Sequence, residues 1–333
     1  MPTFFDDLSL EHSETRSCSN RAARASNDVA LAERLGTAHA SRRLLIESEV
    51  EGLEDRANTL KLLRLKLSQA LIRAVLIATR QYSRGLRNAS RVEVRRNHVP
   101  CPRLPKSFCG FTMLQLSDLH VDMSQAAMAH VADLVKSLKY DLCVITGDFR
   151  GETFGPFDRT LAQLATVTNA LEGPLFGVLG NHDSAAMVPQ LEKMGVRMLL
   201  NERVLIERGG DRIHLAGIDD THFYRSGSVA RAASGIPLED FSVLLAHTPE
   251  VYREAEHSGF DVMLSGHTHG GQICLPGGIP ITLDAKLPRY MGKGAWRYRM
   301  LHGYTSVGAG SSVVPVRFNC PPEITLHHLE AAH

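Results

Sequence analysis

Residues 111–120 read Phe111-Thr112-Met113-Leu114-Gln115-Leu116-Ser117-Asp118-Leu119-His120. The run Phe111 to Leu116 predicts a strand, and Asp118 and His120 follow it at a spacing of two. Side chains two apart share a face in extended chain. An aspartate and a histidine at one strand end can therefore chelate one ion together. Alone, a D-x-H is a weak signal that arises often by chance.

Working outward, the same grammar repeats. Leu142 to Thr146 predicts a strand that runs into Gly147-Asp148, and Leu175 to Leu179 one that runs into Gly180-Asn181-His182-Asp183. Ser242 to Ala246 leads to His247, and Val262 to Ser265 leads to Gly266-His267-Thr268-His269. Taken singly, each histidine reads as a hydrogen-bonded residue, and Asp148 reads as a turn or cap. Jointly, five ligand-bearing turns at strand ends offer the oxygen and imidazole donors that hard and borderline divalent ions take. Such a set can hold two metals bridged by a carboxylate, which suits hydrolysis of a phosphate ester.

Between these strands, Ser124 precedes a helix whose apolar face is Met128, Val131, Val135 and Leu138. Helices also read over Arg159 to Leu171 and over Met187 to Met194, the second closed by Gly195. Arg212 to Ala216 predicts a further strand, and His302 to Leu329 is strand-rich. Alternation early and strands late point to an α/β (α+β) chain with two packed sheets flanked by helices.

The order D-x-H, G-D, G-N-H-D, H, G-H-x-H resembles the calcineurin-like metallophosphoesterase superfamily, over about Val92 to Leu329. Gly270-Gly271-Gln272, Pro315-Val316-Arg317-Phe318 and Pro322-Glu323-Ile324 resemble its bacterial branch of YaeI- and YkuE-type phosphodiesterases. A UDP-diacylglucosamine pyrophosphatase falls near that branch. The resemblance implies a four-layer αββα sandwich of two mixed sheets with the metals at the sheets' carboxyl ends. It implies one ion on Asp118, His120, Asp148 and His269, and a second on Asp148, Asn181, His247 and His267, with Asp148 bridging. The ions implied are Mn, Fe or Zn, with Co and Ni admitted by the same donors. A hydroxide shared by them would attack phosphorus. His182 would stand off the ions and protonate the leaving group or stabilise the transition state. Asp183 would orient that imidazole, cap the helix starting near Ser184, or do both. Arg150 is a candidate phosphate clamp. Asp219, Asp220 and His222 follow the strand ending at Ala216 and read as loop residues near the pocket rim, while Asn201 and Arg203 carry no strong signal.

The 333 residues have a net charge of +1, so no strongly charged partner is implied for the whole. Six cysteines without a C-x-x-C pair exclude a zinc ribbon and fit a reducing compartment. Ser41-Arg42-Arg43-Leu44-Leu45 looks briefly like a twin-arginine signal, but Glu47, Glu49, Glu51, Glu54 and Asp55 follow. The expectation is a cytoplasmic protein. The expected organisation is a disordered tail over 1–27, a basic amphipathic helical extension over 28–90 and a catalytic domain over 91–333. Between Arg56 and Arg96 the basic residues face one acid, Glu93. Leu60, Leu63, Leu67, Leu71, Ala74 and Ala78 fall at helical spacing. That helix either packs on the catalytic domain or lies on an anionic membrane surface, as a peripheral inner-face protein would. Val99 to Phe108, with three prolines, reads as a linker, and Pro280 to Trp296, with Lys286, Arg289, Tyr290 and Lys293, as a lid or a plain loop. Aromatics are few, so nucleic acid is not an expected partner. The expected substrate is a small-molecule or lipid phosphate. The alternatives are a soluble phosphodiesterase acting on cyclic nucleotides or oligonucleotides and a non-catalytic scaffold of the same fold.

Overall fold

A computed structural model of the chain describes residues 27–52, 67 and 69–331. The expected tail and the first turns of the Leu60–Ala78 helix lie largely outside these residues. The described helices are α1 (27–35), α2 (Thr37–Gly52), α3 (69–78), α4 (Tyr82–Ser90), α5 (Gln125–Lys136), α6 (Asp158–Thr168), α7 (Val188–Lys193), α8 (Val229–Ala233) and α9 (Tyr252–His257).

Two six-stranded sheets form the centre. The first has the order β1 (Glu93–Cys101), β14 (Glu323–Ala331), β2 (Thr112–Leu116), β3 (Leu142–Thr146), β4 (Leu175–Val178) and β5 (Val196–Met198). The second has the order β12 (Gly294–Tyr298), β13 (Leu301–Thr305), β9 (Val262–Ser265), β8 (Ser242–Leu245), β7 (Asp211–Gly217) and β6 (Glu202–Arg208). A short hairpin, β10 (Cys274–Leu275) and β11 (Ile279–Pro280), stands apart. Both sheets are mixed: β2 to β5 run parallel while β14 opposes β2, and β7, β8, β9 and β13 run parallel while β6 and β12 oppose their neighbours.

Strand alternation builds the layers. Met113, Leu142 and Val144 point from the first sheet into one core with Val243, Leu245, Val262 and Leu264 of the second. Their neighbours Leu114, Leu116, Cys143 and Ile145 face the opposite way, onto Met128, Val131 and Val135 of α5 and Leu164 and Val167 of α6. Leu244 and Met263 turn outward onto Val229 of α8 and Tyr252 and Ala255 of α9. The result is the four-layer αββα sandwich. Ser124 caps α5, its hydroxyl accepting from Ala127 N at 3.2 Å.

The expected linker begins in a strand. Glu93 to Cys101 pairs in parallel with Glu323 to Ala331, and Pro100 is tolerated because β1 is the edge of its sheet. Residues 27–52 pack onto the first sheet's helical layer through Leu31, Leu35 and Ala40. Arg43 of α2 is fully buried. Its Nε bonds Glu47 at 2.7 Å, its Nη1 bonds Asp219 at 2.7 Å, its Nη2 donates to the Asp183 carbonyl, and its guanidinium lies 3.5 Å over the Tyr224 ring. The arginine of the apparent export motif is thus part of the interior.

Candidate metal centre

Every expected ligand follows the carboxyl end of a parallel strand: Asp118 and His120 after β2, Asp148 after β3, Asn181 after β4, His247 after β8, His267 and His269 after β9. Strands of both sheets therefore aim at one place, the crevice where open α/β sheets collect ligands. The turns are tight. Asp118, His120, Asp148, His267 and His269 all have positive φ, between 39° and 71°. Such non-glycine residues cost about 1–3 kcal/mol each and persist where the surroundings over-determine them. Gly147, at φ 88°, is required as well, since a Cβ there would lie 2.7 Å from His247 Nδ1.

The side chains gather into two groups around Asp148. On one side His120 Nε2 lies 3.1 Å from His269 Nε2, and His269 Nε2 lies 3.4 Å from Asp118 Oδ1. On the other, Asn181 Oδ1 lies 2.9 Å from His247 Nε2 and 2.8 Å from His267 Nδ1. Asp148 Oδ2 reaches both, 3.6 Å from His120 Nε2 and 3.3 Å from His247 Nε2. Donors held about 2.0–2.2 Å from one ion sit roughly 3–3.5 Å from one another. The spacings fit two ions that share the Asp148 carboxylate.

Outer contacts fix this arrangement. His120 Nδ1 meets the Arg150 carbonyl and His247 Nδ1 the Thr146 carbonyl, each at 2.8 Å, which leaves each Nε2 lone pair for the centre. Asp148 Oδ1 accepts from His182 N at 2.9 Å, leaving Oδ2 to bridge. Asp118 is held by the Ser117 hydroxyl at 2.6 Å and by His267 N. Buried Arg317 packs behind His269, its Nη2 3.3 Å from Nδ1, and donates to the carbonyls of Val307 and Gly310.

The electrostatics suit cations. Burial pushes His120 down to about 4, and burial with His247 and His222 pushes His267 down to about 4. Burial, His120 and Arg317 hold His269 well below its ordinary range. All three are therefore neutral, as ligands must be. Burial works against the charge on Asp148, yet His247, His182 and His120 outweigh it and hold the carboxyl well below its usual range. Burial would likewise lower His247, but Asp148 and Asp118 raise it to about 10. The carboxylates that raise His247 are the charges that bound cations would neutralise.

His182 stands beside this set. Its Nε2 is 4.0 Å from Asp148 Oδ2 and its Nδ1 is 2.9 Å from Thr153 Oγ1. Two expectations are corrected. Asp183 neither orients the imidazole nor caps a helix: its buried carboxylate accepts from Asp148 N, Phe149 N and Gly180 N at 2.8–2.9 Å and so ties two ligand turns together. Ser184 makes the cap, on Ala186 N. Arg150 is not a phosphate clamp. Its guanidinium is turned onto three carbonyls, those of His182, Gly155 and Thr153, and is buried. Thr153 was not singled out in the sequence, because nothing local marks a threonine as the partner of a histidine 29 residues away.

The rim residues divide. Asp219 pairs with Arg43, and Asp220 accepts from Phe223 N and Tyr224 N within its own loop. His222 alone reaches the site, its ring 4.4 Å from that of His267. Asn201 is buried and binds the carbonyls of Leu35 and Ser226. The segment after β11 borders the centre through Ile281, Thr282 and Asp284, while Arg289 turns to the Pro280 carbonyl.

Comparison with known proteins agrees with this geometry. The calcineurin-like phosphoesterase family model matches residues 111–271. The chain is 32% identical over 233 residues to the uncharacterized metallophosphoesterase YkoQ of Bacillus subtilis, covering 65% of this chain and 83% of that one. It belongs to the calcineurin-like phosphoesterase family. This phosphoesterase is also 28% identical to YkuE of Bacillus subtilis, covering 73% of its own length and 87% of YkuE. Its identity to the phosphodiesterase YaeI of Escherichia coli is 28%, over 66% of its own length and 82% of YaeI. It is a metal-dependent phosphoesterase, and its His and Asp groups can bind the divalent ions the family uses.

Proposed function

We propose that this phosphoesterase cleaves a phosphodiester or pyrophosphate bond in an amphiphilic, membrane-associated substrate such as a nucleotide-linked lipid. One observation carries the reading. A cavity of about 630 Å³ has Asp148, Asn181, His182, His267 and His269 at its base, and its walls include Leu71, Ile72, Val75 and Leu76 of α3 with Ile281, Val313 and Val314. A phosphate at the base leaves an attached chain against an apolar wall, where burial contributes roughly 25 cal/mol per Å².

Exposure along α3 and into α4 supports the same reading. Leu71, Val75 and Ile77 are exposed, and so are Arg73, Arg80, Arg84 and Arg87. Exposed aliphatics among cations suit the surface of an anionic bilayer, each basic residue adding about 1 kcal/mol near it. No described helix is long and apolar enough to cross a membrane.

The expected ligands would hold two ions of the Mn, Fe or Zn class, Asp118, His120, Asp148 and His269 on one and Asp148, Asn181, His247 and His267 on the other. Bound there, the ions supply Lewis acidity toward the phosphate and lower the pKa of water. The chain adds the proton. A protonated His182 donates Nδ1–H to Thr153 Oγ1, so its Nε2–H is free for the leaving oxygen beside Asp148.

The test compares a UDP-linked diacyl lipid with bis-p-nitrophenyl phosphate for the wild type and for Leu71→Asp with Val75→Asp. The double variant should lose at least tenfold in kcat/KM on the lipid and little on the small diester. Vesicle flotation with phosphatidylglycerol should fall in parallel. Equal losses on both substrates, or none, would sink the lipid assignment and leave a phosphodiesterase for small soluble diesters.

A further inference from the structure

Two tight turns on the wall of the substrate cavity are strained, and one side chain joins them. Val314 N donates to the Ser312 carbonyl at 2.6 Å, which closes a three-residue turn with Val313 at its centre, at φ 63°. Ile273 N donates to the Gly271 carbonyl in the same way, with Gln272 at the centre, at φ 53° and ψ −51°. These are γ-turns of the rare, strained hand. A positive φ is a true outlier for a β-branched residue such as Val313. Backbone of this kind persists only where its surroundings over-determine it, and it clusters at functional sites.

The Gln272 amide does the holding. It is buried, and its Nε2 donates to the carbonyls of Ser312 and Val314, each at 2.8 Å. Its Oε1 accepts from Ser312 N, also at 2.8 Å. Both neighbours of Val313 are thereby fixed. Gln272 ends the short helical turn that begins at His269, so the clamp ties the Val313 turn to the metal centre. What it secures is the placing of an apolar side chain. Val313 is 44% exposed and lines the cavity with Leu71, Val75, Ile281 and Val314. Glycine would adopt the same turn without strain, yet the chain carries a branched aliphatic there.

We propose that Val313 is a specificity-determining residue for the apolar part of the substrate, and that Gln272 is the positioning residue that holds it in place. The assignment rests on the amphiphilic-substrate reading above. A phosphate at the metal centre fixes one end of the substrate, and the isopropyl group of Val313 meets the chain that leaves it. The side chain is already in place when the substrate arrives, which spares the ordering that a loose loop would incur.

The test uses p-nitrophenyl phosphodiesters whose second ester group is methyl or octyl, with the full-length, Mn²⁺-loaded protein. The readout is the ratio of kcat/KM for octyl over methyl within each variant, so a loss common to both substrates cancels. The wild type should prefer octyl by roughly tenfold or more, as burial of about two methylenes provides. Val313→Gly should lower that ratio by about fivefold or more. Its Tm should equal or exceed that of the wild type, because relief of the strain offsets the entropy that glycine loses on folding. Gln272→Ala should lower the ratio similarly. Adding it to Val313→Gly should lower the ratio no further, since the amide acts through the valine. An unchanged ratio in either single variant, a Tm of Val313→Gly several degrees below wild type, or additive losses in the double variant would each overturn the proposal. A wild type without a preference for octyl would instead remove the amphiphilic reading, and this assignment with it.

Discussion

Thr153 Oγ1 and His182 Nδ1 lie 2.9 Å apart, and the pair joins the loop after β3 to the loop after β4. When His182 is protonated the hydroxyl accepts its Nδ1 hydrogen, and Nε2 lies on the side of Asp148. Thr153→Val keeps the shape and removes the acceptor. We expect kcat to fall about tenfold, the low end of what losing an orienting partner costs at a metal site. Zinc or manganese content should not change, and both quantities can be read on the same sample.

His182→Ala removes the proton donor itself. Turnover on substrates with poor leaving groups should drop by about two to four decades, the scale of general acid loss. Substrates that release p-nitrophenolate need less protonation and should lose much less. Asp148→Asn should behave differently, losing metal along with activity. If His182→Ala lost metal and kept its rate, the proton-donor role would be wrong.

Arg150 separates a brace from a clamp. Its guanidinium bonds three partly buried carbonyls, so Arg150→Ala leaves them without that donor. The expected result is a loss of about 1–3 kcal/mol in unfolding free energy, in the range for leaving polar groups without a partner. KM for small diesters measured well below the melting temperature should move little. A large rise in KM with unchanged stability would restore the phosphate-clamp reading.

Proton release should accompany metal binding. His247 is raised from an ordinary 6.5 to about 10, although burial opposes this, because Asp148 and Asp118 favour its charged form. At pH 7.5 the metal-free ring is protonated, and ligation must displace that proton. Calorimetry in buffers of different ionisation enthalpy should find about one proton released from His247, with affinity rising as pH rises. The same shift makes a stability statement. A raised pKa contributes stability fully below 6.5, and that contribution disappears as pH climbs through about 10. EDTA-treated protein should therefore melt lower at pH 10 than at pH 7, and the metal-loaded protein should show less of that decline.

The gathering of the seven expected ligand residues was legible because each follows an apolar strand, and parallel strands of both sheets turn their carboxyl ends to one place. The sandwich was legible for the same reason: alternation such as Leu142 in, Cys143 out assigns each strand two faces. Contacts that span the chain were not. Arg43 finds Asp219 176 residues away, and Asn201 finds Leu35 166 residues away. No local period announces such pairs. Pro100 disguised the end of β1, since a proline reads as a break unless the strand is known to be an edge. Asp183 misled because it adjoins His182 in sequence while its carboxylate bonds backbone N–H groups on the two ligand turns.

The burial of Arg43 bears on how this protein can be dissected. The family match begins at residue 111, and an engineer would naturally trim the gene to that point or to β1. Such a fragment would keep every expected ligand and still leave Asp219 in the interior without its cation, on the Ser226 hydroxyl, with the Asp183 carbonyl stripped of its donor. The amino-terminal helices act as a keystone rather than an appendage, and a shortened enzyme that failed to fold would say nothing about its chemistry.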